Sequence, residues 1–134
     1  MQKVLLVEDD PLISRMYVKV FTFEGFEIRL AVNGQEGLEA LKDFHADILL
    51  VDVMMPVMNG VEMLAKLKLD PATRDIPVIM LTNLADARTA ESTLNQGALK
   101  YLVKGNYSPM DVAAMVKDIL AGKETTDNAD QPAA

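Results

Sequence analysis

Two kinds of hydrophobic pattern alternate along the chain: short runs of consecutive apolar residues, and longer stretches with apolar residues every three or four positions. Consecutive runs are typical of strands buried on both faces, and the spaced pattern is typical of amphipathic helices. The runs predict strands at residues 4–7, 26–31, 48–51, 78–81 and 99–103. The spaced stretches predict helices at residues 11–24, 35–44, 60–69, 86–96 and 109–120. Five strand–helix cycles predict a parallel sheet covered by helices on both faces, which is an α/β fold.

Residues that commonly begin and end helices stand at several of these boundaries. Asp10 before Pro11 indicates an N-cap followed by a proline in the first turn. Ser108, with an acid three residues later, indicates a capping box. Gly25 and Gly97 are placed to end the first and fourth helices. One apolar face of the first helix is expected to comprise Leu12, Ile13, Met16, Tyr17, Val20 and Phe21.

The composition narrows the possible partners. Half of the 134 residues are hydrophobic, and 20 acidic against 13 basic side chains give a net charge of −7. A face that binds nucleic acid or an anionic membrane needs basic clusters, so neither partner is expected. The absence of cysteine excludes disulfides and thiolate metal sites. With no signal-peptide pattern at the start, these features favour a cytoplasmic protein.

The length fits one compact domain, which we assign to residues 1–121. Residues 122–134 are mostly polar or small, without hydrophobic periodicity. Such a segment buries too little apolar surface to fold, so we predict a disordered tail.

Polar side chains follow four of the predicted strands at the points where the strands end. Glu8 and Asp9 follow the first strand, Asp52 the third, Thr82 the fourth and Lys104 the fifth. In an open parallel sheet, ligands bind at the carboxyl ends of the strands. We therefore expect these side chains to form one site.

The chemistry of this predicted site points to a hard cation and a phosphate. Oxygen ligands without His or Cys favour Mg²⁺, which typically takes one or two carboxylates and phosphate oxygens. Lys104 adds a positive charge suited to a phosphate, and a carboxylate such as Asp52 can act as a nucleophile that forms an aspartyl phosphate. The combination predicts a phosphoryl-transfer site.

Four segments, in order, resemble the receiver domains of two-component response regulators, typified by the chemotaxis receiver. They are VLLVEDDP, DILLVDVMMPVMNG, PVIMLT and GALKYLVK, and the resemblance covers residues 3 to about 121. Each segment alone is common, but their order and their places at strand ends make the combination specific. The resemblance implies a flavodoxin-like, doubly wound five-stranded parallel sheet of order 2-1-3-4-5 with five helices.

The resemblance also implies a role for each residue of the site. Asp52 matches the phospho-acceptor, and its carboxylate is also expected to be a Mg²⁺ ligand. Glu8 and Asp9 match the acidic pair that holds Mg²⁺, and the backbone carbonyl of Met54 matches a further metal ligand. Three other residues match those that respond to the phosphate: Thr82 (hydroxyl), Lys104 (ion pair) and Tyr101 (aromatic switch).

The function implied is that of a single-domain response regulator. A histidine kinase or phosphotransfer protein would supply the phosphoryl group, and the domain would catalyse its own phosphorylation and dephosphorylation rather than act as an enzyme on a separate substrate. Output would pass from the face formed by the fourth helix, fifth strand and fifth helix to a partner protein, or through a homodimer.

The chain departs from the family's pattern at several positions near the site. Gly105 stands where proline is usual, so a trans peptide bond is expected after Lys104. Asn83 is bulkier than the usual residue. Met54 and Leu84 occupy positions that tune phosphate loss, and neither side chain can orient a water by a hydrogen bond. We therefore expect a longer phosphorylated lifetime than in fast chemotaxis receivers.

Three other classes of protein fit the sequence less well than a receiver domain. A pseudo-receiver would act as a protein-binding module without phosphorylation, but such proteins generally lack a site residue. An aspartyl phosphohydrolase would need an acid at Met54. A flavin carrier would need a hydroxyl- and glycine-rich phosphate loop where Glu8 and Asp9 stand. His45 is expected at the surface, away from the site.

Overall fold

Five parallel strands form one sheet in the order β2-β1-β3-β4-β5, in a computed structural model that describes residues 1–122. The strands are β1 Lys3–Val7, β2 Glu27–Ala31, β3 Ile48–Val51, β4 Val78–Thr82 and β5 Lys100–Val103. The helices are α1 Pro11–Phe23, α2 Gly34–Ala40, α3 Gly60–Leu69, α4 Ala87–Asn95 and α5 Pro109–Leu120. This arrangement confirms the predicted fold. The tail predicted to be disordered lies, from residue 123, outside the described residues.

Successive residues of the central strands contribute to two separate cores, one on each face of the sheet. Leu5 and Val7 pack on one face with residues of α2, α3 and α4. Leu6 packs on the other face with Tyr17 of α1 and Val112 of α5. This follows from the alternation of side chains along a strand. Because both faces are covered, nearly every residue of β1, β3 and β4 is buried.

The predicted helix boundaries are largely confirmed. The Asp10 carboxylate accepts hydrogen bonds from the backbone N–H groups of Leu12 (2.9 Å) and Ile13 (3.2 Å) at the start of α1. Ser108 forms the expected capping box at the start of α5. Gly25 and Gly97, after α1 and α4, have positive φ values of 92° and 107°. Glycine adopts this left-handed conformation without a steric penalty.

Helix α2 ends at Ala40, so the prediction that it extends to Phe44 was wrong. The residues after it form a turn in which the Asp43 carboxylate pairs with the Arg29 guanidinium at 2.9 Å. Phe44 is buried beyond the helix, and the Arg29 guanidinium lies 4.6 Å from the centre of its ring. Contacts with β2 therefore override the local helical pattern.

The predicted apolar face of α1 is only partly buried. Tyr17 and Phe21 are almost fully buried against the sheet, whereas Leu12 is 65 % exposed and Met16 is 47 % exposed. A single helix on a sheet contacts its neighbours over a limited arc, and Leu12 and Met16 lie outside it. They add apolar surface at the first turns of α1, next to the carboxyl end of β1.

Candidate functional site

The carboxyl ends of β1 and β3 place three carboxylates together. Val7 is aligned with Val51 in the sheet, so Glu8 and Asp52 leave neighbouring strands side by side. The Asp52 N–H donates to the Val7 carbonyl at 3.0 Å, which extends the pairing by one residue. Glu8 and Asp52 are buried and Asp9 is exposed, and one oxygen from each lies within 4.8 Å of the others.

Lys104 reaches the same cluster from the end of β5. Its Nζ lies 3.1 Å from Asp52 Oδ2 and also contacts Glu8 Oε1. Lys104 begins a 3₁₀ turn that ends at Asn106, and this turn fixes the start of the loop before α5. The structure thus brings together four of the predicted site residues: Glu8, Asp9, Asp52 and Lys104.

Backbone N–H groups hold the two buried carboxylates in place. The Asp10 N–H donates to Glu8 Oε2 at 3.1 Å, and the Met54 N–H donates to Asp52 Oδ1 at 3.3 Å. Each buried carboxylate therefore has one bond to the backbone and one contact with Lys104. This fixes the position of the Asp52 oxygens before any ligand arrives.

The electrostatics of the cluster favour an added cation. Burial raises the pKa of Glu8, and the hydrogen bonds from Lys104 and from the Asp10 N–H only partly offset this effect. One lysine faces three carboxylates, so their negative charge is not balanced. A donor set made of oxygen alone fits Mg²⁺. Glu8, Asp9 and Asp52 are the side chains that could hold it, while the role of the Met54 carbonyl stays a prediction.

An open cleft adjoins the acidic cluster at Asp9. It has a volume of about 480 Å³, and its lining includes Asp9, Met54 and Asn59. The Met54 side chain is 61 % exposed, whereas Met58 packs into the core. The methionine-rich loop therefore forms one wall of the cleft, and Asp9 is the member of the acidic cluster that faces it.

Thr82 and Tyr101 both form hydrogen bonds with the backbone of Leu84, which the sequence did not predict. The Thr82 Oγ1 accepts a hydrogen bond from the Leu84 N–H at 3.2 Å, and the Tyr101 hydroxyl donates to the Leu84 carbonyl at 2.5 Å. Burial raises the pKa of Tyr101 to about 12. Any residue supplies these backbone groups, so the identity of Leu84 gave no signal for this contact.

With Gly105 after it, Lys104 lies within reach of Asp52. No cis peptide bond occurs among the described residues, which confirms the trans bond expected before Gly105. A Cβ at Gly105 would meet no atom within 4 Å. Asn83 and Lys104 line a smaller cavity of about 200 Å³ together with Met16. His45 is exposed in the loop before β3, as expected.

Within residues 1–122, none of the helices combines the length and apolar character needed to cross a membrane.

Comparison with known proteins identifies the family. The model of the response regulator receiver domain matches residues 4–117. The DNA-binding response regulator MtrA of Mycolicibacterium smegmatis is 32% identical over 132 residues, which cover 98% of this chain and 54% of MtrA. The chain thus spans about half the length of that relative, and the match to the regulatory protein AtoC of Escherichia coli covers 22% of AtoC at 36% identity.

Solved structures agree in fold over nearly their whole length. A CheY-like response regulator receiver domain protein from Methanospirillum hungatei has a TM-score of 0.82 at 31% identity, covering 92% of this chain and 96% of that one. The chemotaxis response regulator CheY4 of Vibrio cholerae has a TM-score of 0.80 at 28% identity, covering 89% and 98%. Receiver domains act in two-component phosphorelays, where aspartate phosphorylation and Mg²⁺ binding are typical. This chain belongs to the response regulator receiver domain family.

Proposed function

We propose that this chain is the receiver domain of a cytoplasmic response regulator and accepts a phosphoryl group on Asp52. The donor is a histidine kinase or a phosphotransfer protein. The observation that carries the proposal is the position of the Asp52 carboxylate, with Lys104 Nζ 3.1 Å from one oxygen and two further acids beside it. A carboxylate that can act as a nucleophile, an ammonium group and two further acids thus lie together at the carboxyl ends of the strands.

The proposed reaction is an in-line transfer. An Asp52 oxygen attacks the phosphorus of the donor's phosphohistidine, the P–N bond breaks, and the electron pair returns to the donor imidazole. Glu8, Asp9 and Asp52, with the Met54 carbonyl, would hold Mg²⁺, which would supply positive charge to neutralise the phosphoryl oxygens. Lys104 pairs with another of these oxygens. Dephosphorylation is the attack of water on the same phosphorus, which breaks the P–O bond to Asp52, restores the Asp52 carboxylate and releases inorganic phosphate.

The switch proposed here runs through Leu84. Thr82 turns its hydroxyl towards the phosphoryl group and gives up the Leu84 N–H, and Tyr101 follows because it is bonded to the Leu84 carbonyl. This motion shifts an equilibrium between two conformations of the loop before α4. The face formed by α4, β5 and α5 then binds a downstream protein or a second copy of the chain.

Exposed apolar side chains around the acidic cluster support a protein as the donor. Leu12 and Met16 at the start of α1, Met110 at the start of α5 and Met54 beside Asp52 all have large exposed fractions. Both helices begin at the carboxyl edge of the sheet, where the acceptor lies. Methionine is enriched in protein interfaces, and such a rim suits a protein surface better than a small phosphate donor.

Intact mass after incubation with acetyl phosphate tests this proposal. We expect one added phosphoryl group on the native protein in the presence of Mg²⁺ and none on Asp52→Asn. Asp75→Asn, which changes an exposed acid before β4, serves as the matched control and should be modified like the native protein. An absence of adduct on the native protein would contradict the proposal and favour a pseudo-receiver that binds partners without phosphorylation.

The same adduct gives the lifetime of the phosphoryl group. Met54 and Leu84 cannot hold an attacking water by a side-chain hydrogen bond. We therefore expect slower loss than in fast chemotaxis receivers, measured as the decay of the adduct mass after removal of acetyl phosphate. A half-life of seconds with Mg²⁺ present would contradict this expectation.

A further inference from the structure

A cavity of about 570 Å³ lies near the amino ends of β3 and β4, at the opposite end of the strands from Asp52. It opens between the last turns of α2 and α3 and the loops that lead into β3 and β4. Its apolar lining comes from Leu38, Leu41, Phe44, Ala46 and Ile76. Because α2 stops at Ala40, the turn that follows the helix, rather than a further helical turn, forms this wall.

Contacts outside the cavity hold its walls in place. Phe44 contacts two basic side chains. The Lys3 ammonium lies 5.6 Å and the Arg29 guanidinium 4.6 Å from the centre of its ring. On the opposite wall, the Thr73 hydroxyl donates to the Leu67 carbonyl at 2.8 Å. The cavity is therefore formed before any ligand binds, which is typical of small-molecule sites.

The charged side chains that line the cavity are two lysines, Lys42 and Lys66, and one acid, Asp70, in a chain of net charge −7. His45 also lines the cavity and is counted as neutral. Asp70 Oδ1 already accepts a hydrogen bond from the Ala72 N–H at 2.9 Å. This local excess of cationic side chains indicates an anionic ligand.

Lys42 has an ion-pair partner that a ligand can replace. Its Nζ lies 3.2 Å from Glu39 Oε1, and both side chains are more than half exposed. Exposed pairs of this kind contribute little to stability. An anion held over the apolar lining can therefore compete with Glu39 for the lysine.

We propose that this cavity binds a small organic anion with an aromatic or branched aliphatic body and one carboxylate, sulfonate or phosphate group. The body contacts the apolar lining, and the anionic group pairs with Lys42 and Lys66 at the mouth. The volume lies within the ~300–1,000 Å³ range of ligand sites. The site does not depend on Asp52, which lies at the opposite end of the strands.

Anilinonaphthalene sulfonate, a fluorescent apolar anion, is the probe for the first test. We expect saturable one-to-one binding, with methyl NMR shifts confined to Leu38, Leu41 and Ile76 among the cavity's neighbours. Lys42→Gln and Lys66→Gln should each weaken binding by about threefold, as expected for an exposed charge pair. Lys19→Gln, which removes an exposed lysine on α1, and Asp52→Asn should leave the dissociation constant unchanged.

Three results would overturn the inference. One is unsaturable binding or methyl shifts spread over the whole protein, which would mean nonspecific contact. Another is an equal effect of Lys19→Gln and Lys42→Gln, which would mean attraction by overall charge. The third is a titration that changes with protein concentration and has the stoichiometry of a dimer, which would assign the cavity to a second copy of the chain.

Discussion

Val57 has the strained backbone conformation nearest to the acceptor. Its φ is 68°, and it is the non-glycine residue with a positive φ among those the structure describes. Its side chain is 81 % exposed, so packing does not offset the strain. A left-handed conformation is costly for a residue with a Cβ and more so for a β-branched one.

Val57→Asn is expected to raise the free energy of unfolding by ~1 kcal/mol, because asparagine tolerates the left-handed region better. Urea denaturation followed by circular dichroism measures the change. Val32→Asn serves as the control, since Val32 is also exposed but has no positive φ. An equal gain at Val32 would show that polarity, not backbone strain, explains the result.

Tyr17 ionises with difficulty because it is buried and faces acids. Burial first, and then the charges of Glu8 and Asp111, raise its pKa to about 12. An unfolded tyrosine ionises near pH 10, so between pH 10 and 12 the unfolded state loses a proton that the folded state keeps. Stability from this group is complete below pH 10 and falls as the pH rises towards 12.

Above pH 10, Tyr17→Phe should therefore reduce the slope with which the free energy of unfolding falls with pH, by up to ~1.4 kcal/mol per pH unit. Near pH 8 the same substitution should change this slope less. Denaturation at a series of pH values measures both slopes. A slope identical to that of the native protein would mean that the Tyr17 phenol ionises normally in the fold.

The start of α3 is built around the close approach of Gly60 to the acceptor strand. A Cβ at Gly60 would lie 2.2 Å from the Asp52 carbonyl oxygen, a distance that atoms cannot share. The Gly60 N–H donates to the Val53 carbonyl at 2.9 Å, and Asn59 and Glu62 form a capping box. The helix start therefore fixes the backbone that carries Asp52.

Gly60→Ala is expected to lower the free energy of unfolding by ~2 kcal/mol or more, because backbone atoms must move to admit the methyl group. It should also reduce phosphorylation of Asp52. Gly105→Ala is the matched control, since a Cβ there meets nothing within 4 Å. Denaturation midpoints compare the two, and an equal small effect at both positions would refute the close packing at Gly60.

For the molecule as a whole, a local excess of negative charge lies at the carboxyl ends of the strands. Glu8, Asp9 and Asp52 converge there with Lys104 in a chain of net charge −7. Like charges held together by the fold cost stability, and a cation that binds only the folded state restores it.

Mg²⁺ should raise the melting temperature through this site. Each tenfold increase of Mg²⁺ above its dissociation constant adds ~1.4 kcal/mol to the free energy of unfolding. Asp9→Asn should weaken the effect strongly, and Asp75→Asn should not. Thermal denaturation at constant ionic strength measures the rise in melting temperature. An equal rise with NaCl would mean that charge screening, and not Mg²⁺ binding at this site, stabilises the protein.

Much of the fold and part of the site follow from patterns that are local in the chain. Consecutive apolar runs such as 48–51 predict buried strands, because successive side chains point to opposite faces of a sheet that is covered on both sides. The residues directly after those runs must emerge at one edge of a parallel sheet, so Asp52 and Lys104 could be placed together without coordinates.

Contacts between distant parts of the chain decided the rest. Glu8 and Lys104 are 96 residues apart, and their direct contact depends on the strand order of the sheet, in which β3 and β4 lie between β1 and β5. The same holds for the hydrogen bonds to the Leu84 backbone and for the early end of α2, where Arg29 holds Phe44 beyond the helix. Such features depend on which surfaces meet in space, and local periodicity carries no information about that.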